Sequence, residues 1–150
     1  MMTTVTYVDL DHIRYRNLNF WVLNSIRKKI NNWNEKRNNK IKYAYIRESA
    51  NSHVHLMLIL ERNMDLLDHF ILRSIFNDDP YRIAMDLKRI YSYGYIEDKY
   101  NRIFDMKRNG NRIKYVGQWE MIYPEFSENL FNFLMISQWE GREDLYGSEW

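Results

Sequence analysis

The chain contains no cysteine among its 150 residues. Disulfide bonds and thiolate metal sites are therefore excluded, and the absence fits a reducing compartment. The chain also lacks any run of 18 or more apolar residues, which a membrane-spanning helix needs. No signal-peptide pattern opens the sequence, because Asp9 and Asp11 fall where an apolar segment is required. We therefore expect a cytoplasmic protein with no membrane partner.

What the chain does have is a large apolar content and an uneven distribution of charge. Hydrophobic residues make up 45% of it and aromatic residues 16%, so we expect residues 1–150 to form a single domain. Residues 1–117 carry 21 Lys and Arg against 13 Asp and Glu, whereas residues 118–150 carry one Arg against seven acidic residues. A basic body with an acidic C-terminal extension indicates a polyanionic partner for the body.

The order of the sequence patterns predicts an α+β fold. Runs of β-branched and aromatic residues predict strands at 3–8, 41–48, 53–61, 81–90 and 113–121. Apolar residues at i, i+3 and i+4 predict helices at 18–33, 65–76 and 127–139. The order strand, helix, strand, strand, helix, strand is that of a ferredoxin-like (βαββαβ) antiparallel sheet with its helices on one face. We expect this core to span about residues 3–107, with the last helix added to it.

Two of the four histidines, His53 and His55, flank Val54 at the start of the third predicted strand. Residues i and i+2 of a strand point the same way, about 7 Å apart, so both imidazoles share one face. Two imidazoles on one face can hold a divalent metal ion. The other face, from Val54 to Leu60, is wholly apolar and is predicted to meet the helices.

The element order and the His-hydrophobic-His strand together resemble the HUH endonuclease superfamily, which includes rolling-circle replication initiators, or Rep proteins. The resemblance covers residues 3 to about 107. It implies a metal-dependent endonuclease that nicks and joins single-stranded DNA through a covalent phosphotyrosine intermediate, as the replication initiator of a virus or plasmid. It also implies Mn or Mg as the cofactor and the interior of a host cell as the location. A host helicase or replication protein and a second copy of the chain are further candidate partners.

The resemblance assigns metal ligands to three residues of this chain. His53 and His55 match the metal-binding pair, and Glu48 stands where many initiators place a third ligand. Strict alternation along the second strand puts Glu48 on the helix face. A bulge or the strand end must therefore re-aim this carboxylate toward the histidines.

The resemblance also requires a nucleophilic tyrosine, for which the chain offers several candidates. Initiators often show a tyrosine followed by a lysine one helical turn later, and Tyr95 and Lys99 match that spacing. Tyr91 lies one turn before Tyr95, which suits members with two tyrosines. Y1-type transposases, an alternative within the superfamily, place the tyrosine later and before a glutamine, and Tyr115 with Gln118 resembles that arrangement.

A single strand of DNA needs a cationic groove and aromatic surfaces on which its bases stack. The candidates for these contacts are Tyr43, Tyr45, Arg47, Arg14, Arg16, Lys88 and Arg89. The alternative function is a non-catalytic nucleic-acid-binding module with the same sheet topology. RNA-recognition modules carry a Gly-Phe-rich strand, and the absence of glycine before Gly94 counts against that family.

Overall fold

The computed structural model describes residues 3–93, 106–109 and 112–136, with side chains described for residues 4–92 and 116–136. These residues form an α+β fold with one four-stranded antiparallel sheet, a two-stranded hairpin and four α-helices. The strands are β1 (Thr3–Arg14), β2 (Ile41–Glu48), β3 (His53–Met64), β4 (Met106–Asn109), β5 (Arg112–Tyr115) and β6 (Glu120–Tyr123). The helices are α1 (Phe20–Lys36), α2 (Leu66–Ile75), α3 (Pro80–Tyr93) and α4, residues 128–136.

The four-stranded sheet has the order β1-β3-β2-β6, and every neighbouring pair is antiparallel. The predicted strands at 41–48 and 53–61 are therefore confirmed as antiparallel neighbours, β2 and β3. The predicted ferredoxin-like strand order is not confirmed, because the fourth strand of the sheet is β6, which pairs with β2. The predicted strand at 113–121 is also corrected: it divides into β5, which pairs with β4, and β6, which joins the main sheet.

The hydrophobic core lies between the main sheet and the helices. Val54, Leu56, Leu58 and Leu60 of β3 are at most 2% exposed, which confirms the predicted apolar face. The core residues of the helices, which pack against this face, are Leu23, Ile26, Ile30, Trp33, Leu72, Leu130 and Leu134. The histidine face of β3 therefore points away from the core. No helix in the described part of the chain is long and apolar enough to cross a membrane.

The prediction of a strand at 81–90 is wrong, because this segment lies in helix α3. Large apolar residues occupy every second position from Tyr81 to Leu87, which is the period of a strand. Pro80 stands at the first helical position, where its fixed φ is favourable, and the Asp79 carboxylate accepts the N–H of Tyr81. The helix then turns charged residues toward the protein interior.

A buried network of ion pairs joins α2 to α3. The Arg73 side chain is fully buried, and its guanidinium donates to the carboxylates of Asp78 and Asp86, each at 2.7 Å. Arg82 donates to Asp78 at 2.9 Å and Arg89 donates to Asp86 at 2.8 Å. Each buried charge thus has a partner of opposite sign, which offsets the cost of removing it from water.

The same network also holds β1 in place. Asp78 accepts the backbone N–H of Asp9 at 2.7 Å, and the N–H of Asp79 donates to the Asp9 carbonyl at 3.0 Å. Arg82 donates to the carbonyl of Tyr7 at 2.8 Å. The α2–α3 connection therefore fixes the backbone on either side of Val8.

Removing the buried guanidinium should destabilise the fold. We expect Arg73→Met to lower the free energy of unfolding by about 3 kcal/mol, since it leaves Asp78 and Asp86 with fewer compensating charges. Urea denaturation followed by circular dichroism measures the change. Arg37→Met is the matched control, because Arg37 is half-exposed beside Asp68 and its loss should cost about 1 kcal/mol or less. An equal decrease in the free energy of unfolding for the two variants would show that the buried network does not stabilise the fold as described.

Candidate functional site

Three strands contribute side chains to the sheet face that carries the histidines. Asp9 of β1, His55 of β3 and Arg47 of β2 are register partners and form one row across the sheet. The next row consists of Tyr7, Met57 and Tyr45, and all three are partly buried. Charged and titratable groups therefore lie next to aromatic and thioether side chains on one face.

His53 lies at the end of this face, beside a bulge of β1. The register passes from Leu10 opposite Val54 to Arg14 opposite His53, so residues 11–13 are accommodated between neighbouring positions of β3. Within the bulge, an oxygen of the Asp11 carboxylate lies 3.7 Å from Nδ1 of His53. That nitrogen is buried and has no hydrogen-bond partner in the part of the chain that the structure describes. A buried polar atom in this situation suits a cation or a donor placed between the ring and the carboxylate.

Sequence reasoning missed Asp9 and Asp11, because β1 was predicted to end at residue 8. The strand extends to Arg14 and brings both carboxylates beside the histidine strand. The signal was present in the alternation of apolar Val8 and Leu10 with these two acids. An Asp-x-Asp segment thus lies opposite the His-x-His segment.

Glu48, the predicted third ligand, lies elsewhere in the register. It pairs with Val54, whose side chain faces the helices, so Glu48 belongs to that face by alternation. On that side, burial raises the pKa of Tyr15 to about 12, and the charges of Glu120 and Glu48 add to the shift. Among the described residues, Asp11 is the carboxylate that stands near a histidine ring nitrogen.

The ring of His55 accepts a hydrogen bond from the cationic side chain of Arg47. The Nε–H of Arg47 donates to Nδ1 of His55 at 3.1 Å, which places the proton of a neutral ring on Nε2. The guanidinium of Arg47 lies 4.3 Å from the ring centre of Trp119, whose ring is also 6.2 Å from that of Tyr7. His55 and Arg47 are only 6% and 5% exposed. His55 must therefore give up the Arg47 contact to bind a metal ion through Nδ1, or lose its Nε2 proton to bind one there.

The side chains best placed to bind a metal ion lie at the His53 end of this face. Within the described residues, no three His, Cys, Asp or Glu side chains are arranged to hold an ion. His53 and Asp11 supply one imidazole nitrogen and one carboxylate oxygen in close proximity, with Asp9 and His55 in the neighbouring row. Mixed nitrogen and oxygen donors suit Mn, and carboxylates suit Mg. The partners in this geometry are therefore His53 and Asp11.

The carboxyl group of Asp9 has an unusual affinity for protons. Its pKa is raised from 3.8 to about 6, mainly by burial and then by the negative charges of Asp11 and Asp78, which outweigh the opposing charge of Arg82. Asp9 therefore changes its charge close to neutral pH. A cation bound beside Asp9 and Asp11 would favour the ionised form.

The candidate nucleophilic tyrosines lie in different parts of the chain. Tyr95 and Lys99 lie outside the described residues. Tyr91 lies on α3 and is 93% exposed. Tyr115 ends β5, and two residues later the N–H of Gly117 donates to the carbonyl of Glu48 at 2.8 Å. The chain that follows Tyr115 thus runs beside the end of β2 where Arg47 pairs with His55.

The residues predicted to contact nucleic acid fall into two groups. Tyr43, Tyr45 and Arg47 lie on the histidine face by register, and Arg14 is exposed opposite His53. Arg16 and Lys88 are exposed on other elements, whereas Arg89 is engaged with Asp86. The first group therefore shares the histidine side of the sheet, and the second belongs to other parts of the molecule.

Comparisons with protein-family models, curated proteins and solved structures found no match for this chain.

The raised pKa of Asp9 predicts a dependence of stability on pH. A carboxyl group with a folded-state pKa of about 6 and an ordinary value of 3.8 stabilises the fold below pH 4 and loses that contribution as the pH rises through 6. We expect Asp9→Asn to gain about 1 kcal/mol of stability relative to the parent protein between pH 4 and pH 7, after allowing for solvent screening of this half-buried group.

Urea denaturation of both proteins at the two pH values, in EDTA, measures this difference. His69, whose pKa burial lowers to about 4, titrates in the same range with the opposite sign. Because His69 is present in both proteins, the comparison removes its contribution. An equal difference in stability at pH 4 and pH 7 would show that Asp9 has an ordinary pKa.

Proposed function

We propose that the chain is an HUH-type, metal-dependent endonuclease that nicks and joins single-stranded DNA through a covalent phosphotyrosine, as the replication initiator of a virus or plasmid. The observation that carries the proposal is the buried Nδ1 of His53, which has no hydrogen-bond partner among the described residues and lies 3.7 Å from the Asp11 carboxylate. It supports the proposal because a nitrogen and an oxygen donor are paired on a face that also carries Arg47 and aromatic rings. The ferredoxin-like arrangement of the family is part of the same proposal.

The proposed ligands of the ion are His53 and Asp11, with His55 joining them when Arg47 releases its ring. A bound Mn or Mg ion would polarise the scissile phosphate and stabilise the negative charge that develops on it. Arg47 would then be available to the phosphate oxygens as a second cation. Tyr45, Tyr7 and the partly exposed Tyr43 offer rings on which bases of the strand can stack.

Of the candidate tyrosines within the described residues, we propose Tyr115 as the nucleophile. Its oxygen forms a bond to phosphorus while the bond from phosphorus to the leaving sugar oxygen breaks, and the leaving oxygen takes up a proton. The support is the hydrogen bond from Gly117 to Glu48, which brings this part of the chain to the strand end that carries the histidines. Because the phosphodiester energy is kept in the phosphotyrosine, the reverse reaction can join strands without ATP.

A non-catalytic nucleic-acid-binding module is the second candidate, and one observation favours it. Arg47 already occupies Nδ1 of His55 and stacks on Trp119, so a cation and aromatic rings are preorganised without any metal ion. Such a module would bind a single strand equally well in EDTA and would form no covalent product.

Incubation with single-stranded oligonucleotides and Mn tests the enzyme. We expect a protein–DNA adduct that survives denaturing electrophoresis, and we expect Tyr115→Phe to abolish it because the nucleophilic oxygen is lost. His53→Ala and Asp11→Asn should each slow adduct formation by roughly a hundredfold, since each removes a proposed ligand. Tyr91→Phe serves as the control and should leave the rate unchanged if Tyr115 is the nucleophile.

The same series separates the alternatives. An adduct that Tyr95→Phe abolishes and Tyr115→Phe does not would reassign the nucleophile to Tyr95. Adduct formation unaffected by both His53→Ala and Asp11→Asn would refute the metal site. Binding without any adduct, unchanged by EDTA, would favour the non-catalytic module.

A further inference from the structure

A cavity of about 180 Å³ opens on the other side of β1, between the start of α1 and the end of α2. Its apolar wall is formed by Leu10, Ile13, Ile26 and Phe76. Trp21 stands at its rim with 83% of its surface exposed. An exposed indole beside an apolar cavity offers a flat apolar surface that a planar ligand can cover.

The polar side chains of the cavity are cations or neutral donors. Lys29, His12, Ser25 and Asn77 line it, and none of the described residues of the lining carries a carboxylate. Partial burial lowers the pKa of Lys29, and no ion pair or hydrogen bond of its side chain is found within the described residues. A partly buried ammonium with no carboxylate partner among the described residues favours an anionic ligand.

The size of the cavity limits the ligand. Pockets for drug-sized molecules have volumes of roughly 300 to 1,000 Å³, so this cavity accommodates one ring system rather than an extended molecule. A planar ring against an indole, together with an anionic group near an ammonium, is the chemistry of a single nucleotide. An amphipathic peptide helix would instead need a longer apolar groove.

The cavity also lies close to the histidine face. Asp11 and His12 are consecutive residues of the same bulge, and Asp11 points to His53 while His12 lines the cavity. The two sites are thus separated by little more than the thickness of β1, which is the edge strand of the sheet. A DNA strand that crosses the histidine face can continue around this edge.

We propose that this cavity binds one nucleotide, with the base against Trp21 and the phosphate at Lys29 and His12. The inference that this nucleotide belongs to the DNA strand held on the histidine face rests on the proposed function. The cavity would then hold a base that flanks the cleavage position and fix the register of the strand.

Fluorescence anisotropy with a labelled single-stranded oligonucleotide in EDTA tests the site without requiring cleavage. We expect Trp21→Ala to weaken binding roughly tenfold, because one stacked base is lost. Lys29→Met should weaken it several-fold and reduce the slope of log affinity against log salt by about one. The matched controls are Tyr81→Ala, an exposed aromatic residue on α3, and Lys36→Met, an exposed lysine on α1; both should bind as the parent protein does.

A second arm uses a deoxynucleoside monophosphate and follows the quenching of tryptophan fluorescence, which Trp21→Ala should remove. Oligonucleotide binding weakened by the cavity variants alone supports a nucleotide of the DNA strand. Quenching by the mononucleotide with unchanged oligonucleotide binding supports the same site with a free nucleotide as its ligand. No difference between cavity variants and controls in either arm overturns the inference, whereas failure of the Mn-dependent adduct assay concerns the proposed function alone.

Discussion

The guanidinium of Arg73 and the two carboxylates that hold it determine how the helices meet the sheet. Arg73, Asp78 and Asp86 are buried almost completely, so none of the three charges can return to water without partial unfolding. Asp78 also accepts the N–H of Asp9, which ties the network to the edge strand. The position of the acidic side chains opposite the histidines therefore depends on contacts made on the far side of β1.

The same network explains why part of the fold could not be predicted. Hydrophobic periodicity located α1, β2, β3 and α2 well, because each buries an apolar stripe or row of the expected period. In α3 the buried positions include Asp86, and Arg82 faces the same network. A pattern that counts apolar residues assigns such positions to the surface, so the alternation of the remaining residues indicated a strand. The local signals for a helix were Asp79 as its cap and Pro80 at its first position, and the alternation was given more weight than these two residues.

In the candidate site, too, some features could be predicted from the sequence and others could not. The shared face of His53 and His55 and the neighbouring position of Arg47 follow from strand alternation and hairpin pairing alone. The carboxylate beside His53 does not, because Asp11 lies in a bulge whose position is set by pairing between distant parts of the chain. The resemblance suggested Glu48 as the third ligand, whereas the register turns that residue to the helix side. Long-range register is the information that local patterns lack.

The bulge at residues 11–13 has a thermodynamic consequence. Asp11 is directed at His53, and His12 and Ile13 line the cavity, so one short segment forms part of both sites. A ligand on either side that shifts this segment alters the geometry on the other side. Linkage then requires that occupancy of each site change the affinity of the other by the same factor. We therefore expect cooperativity, positive or negative, between a nucleotide bound in the cavity and a cation bound near Asp11.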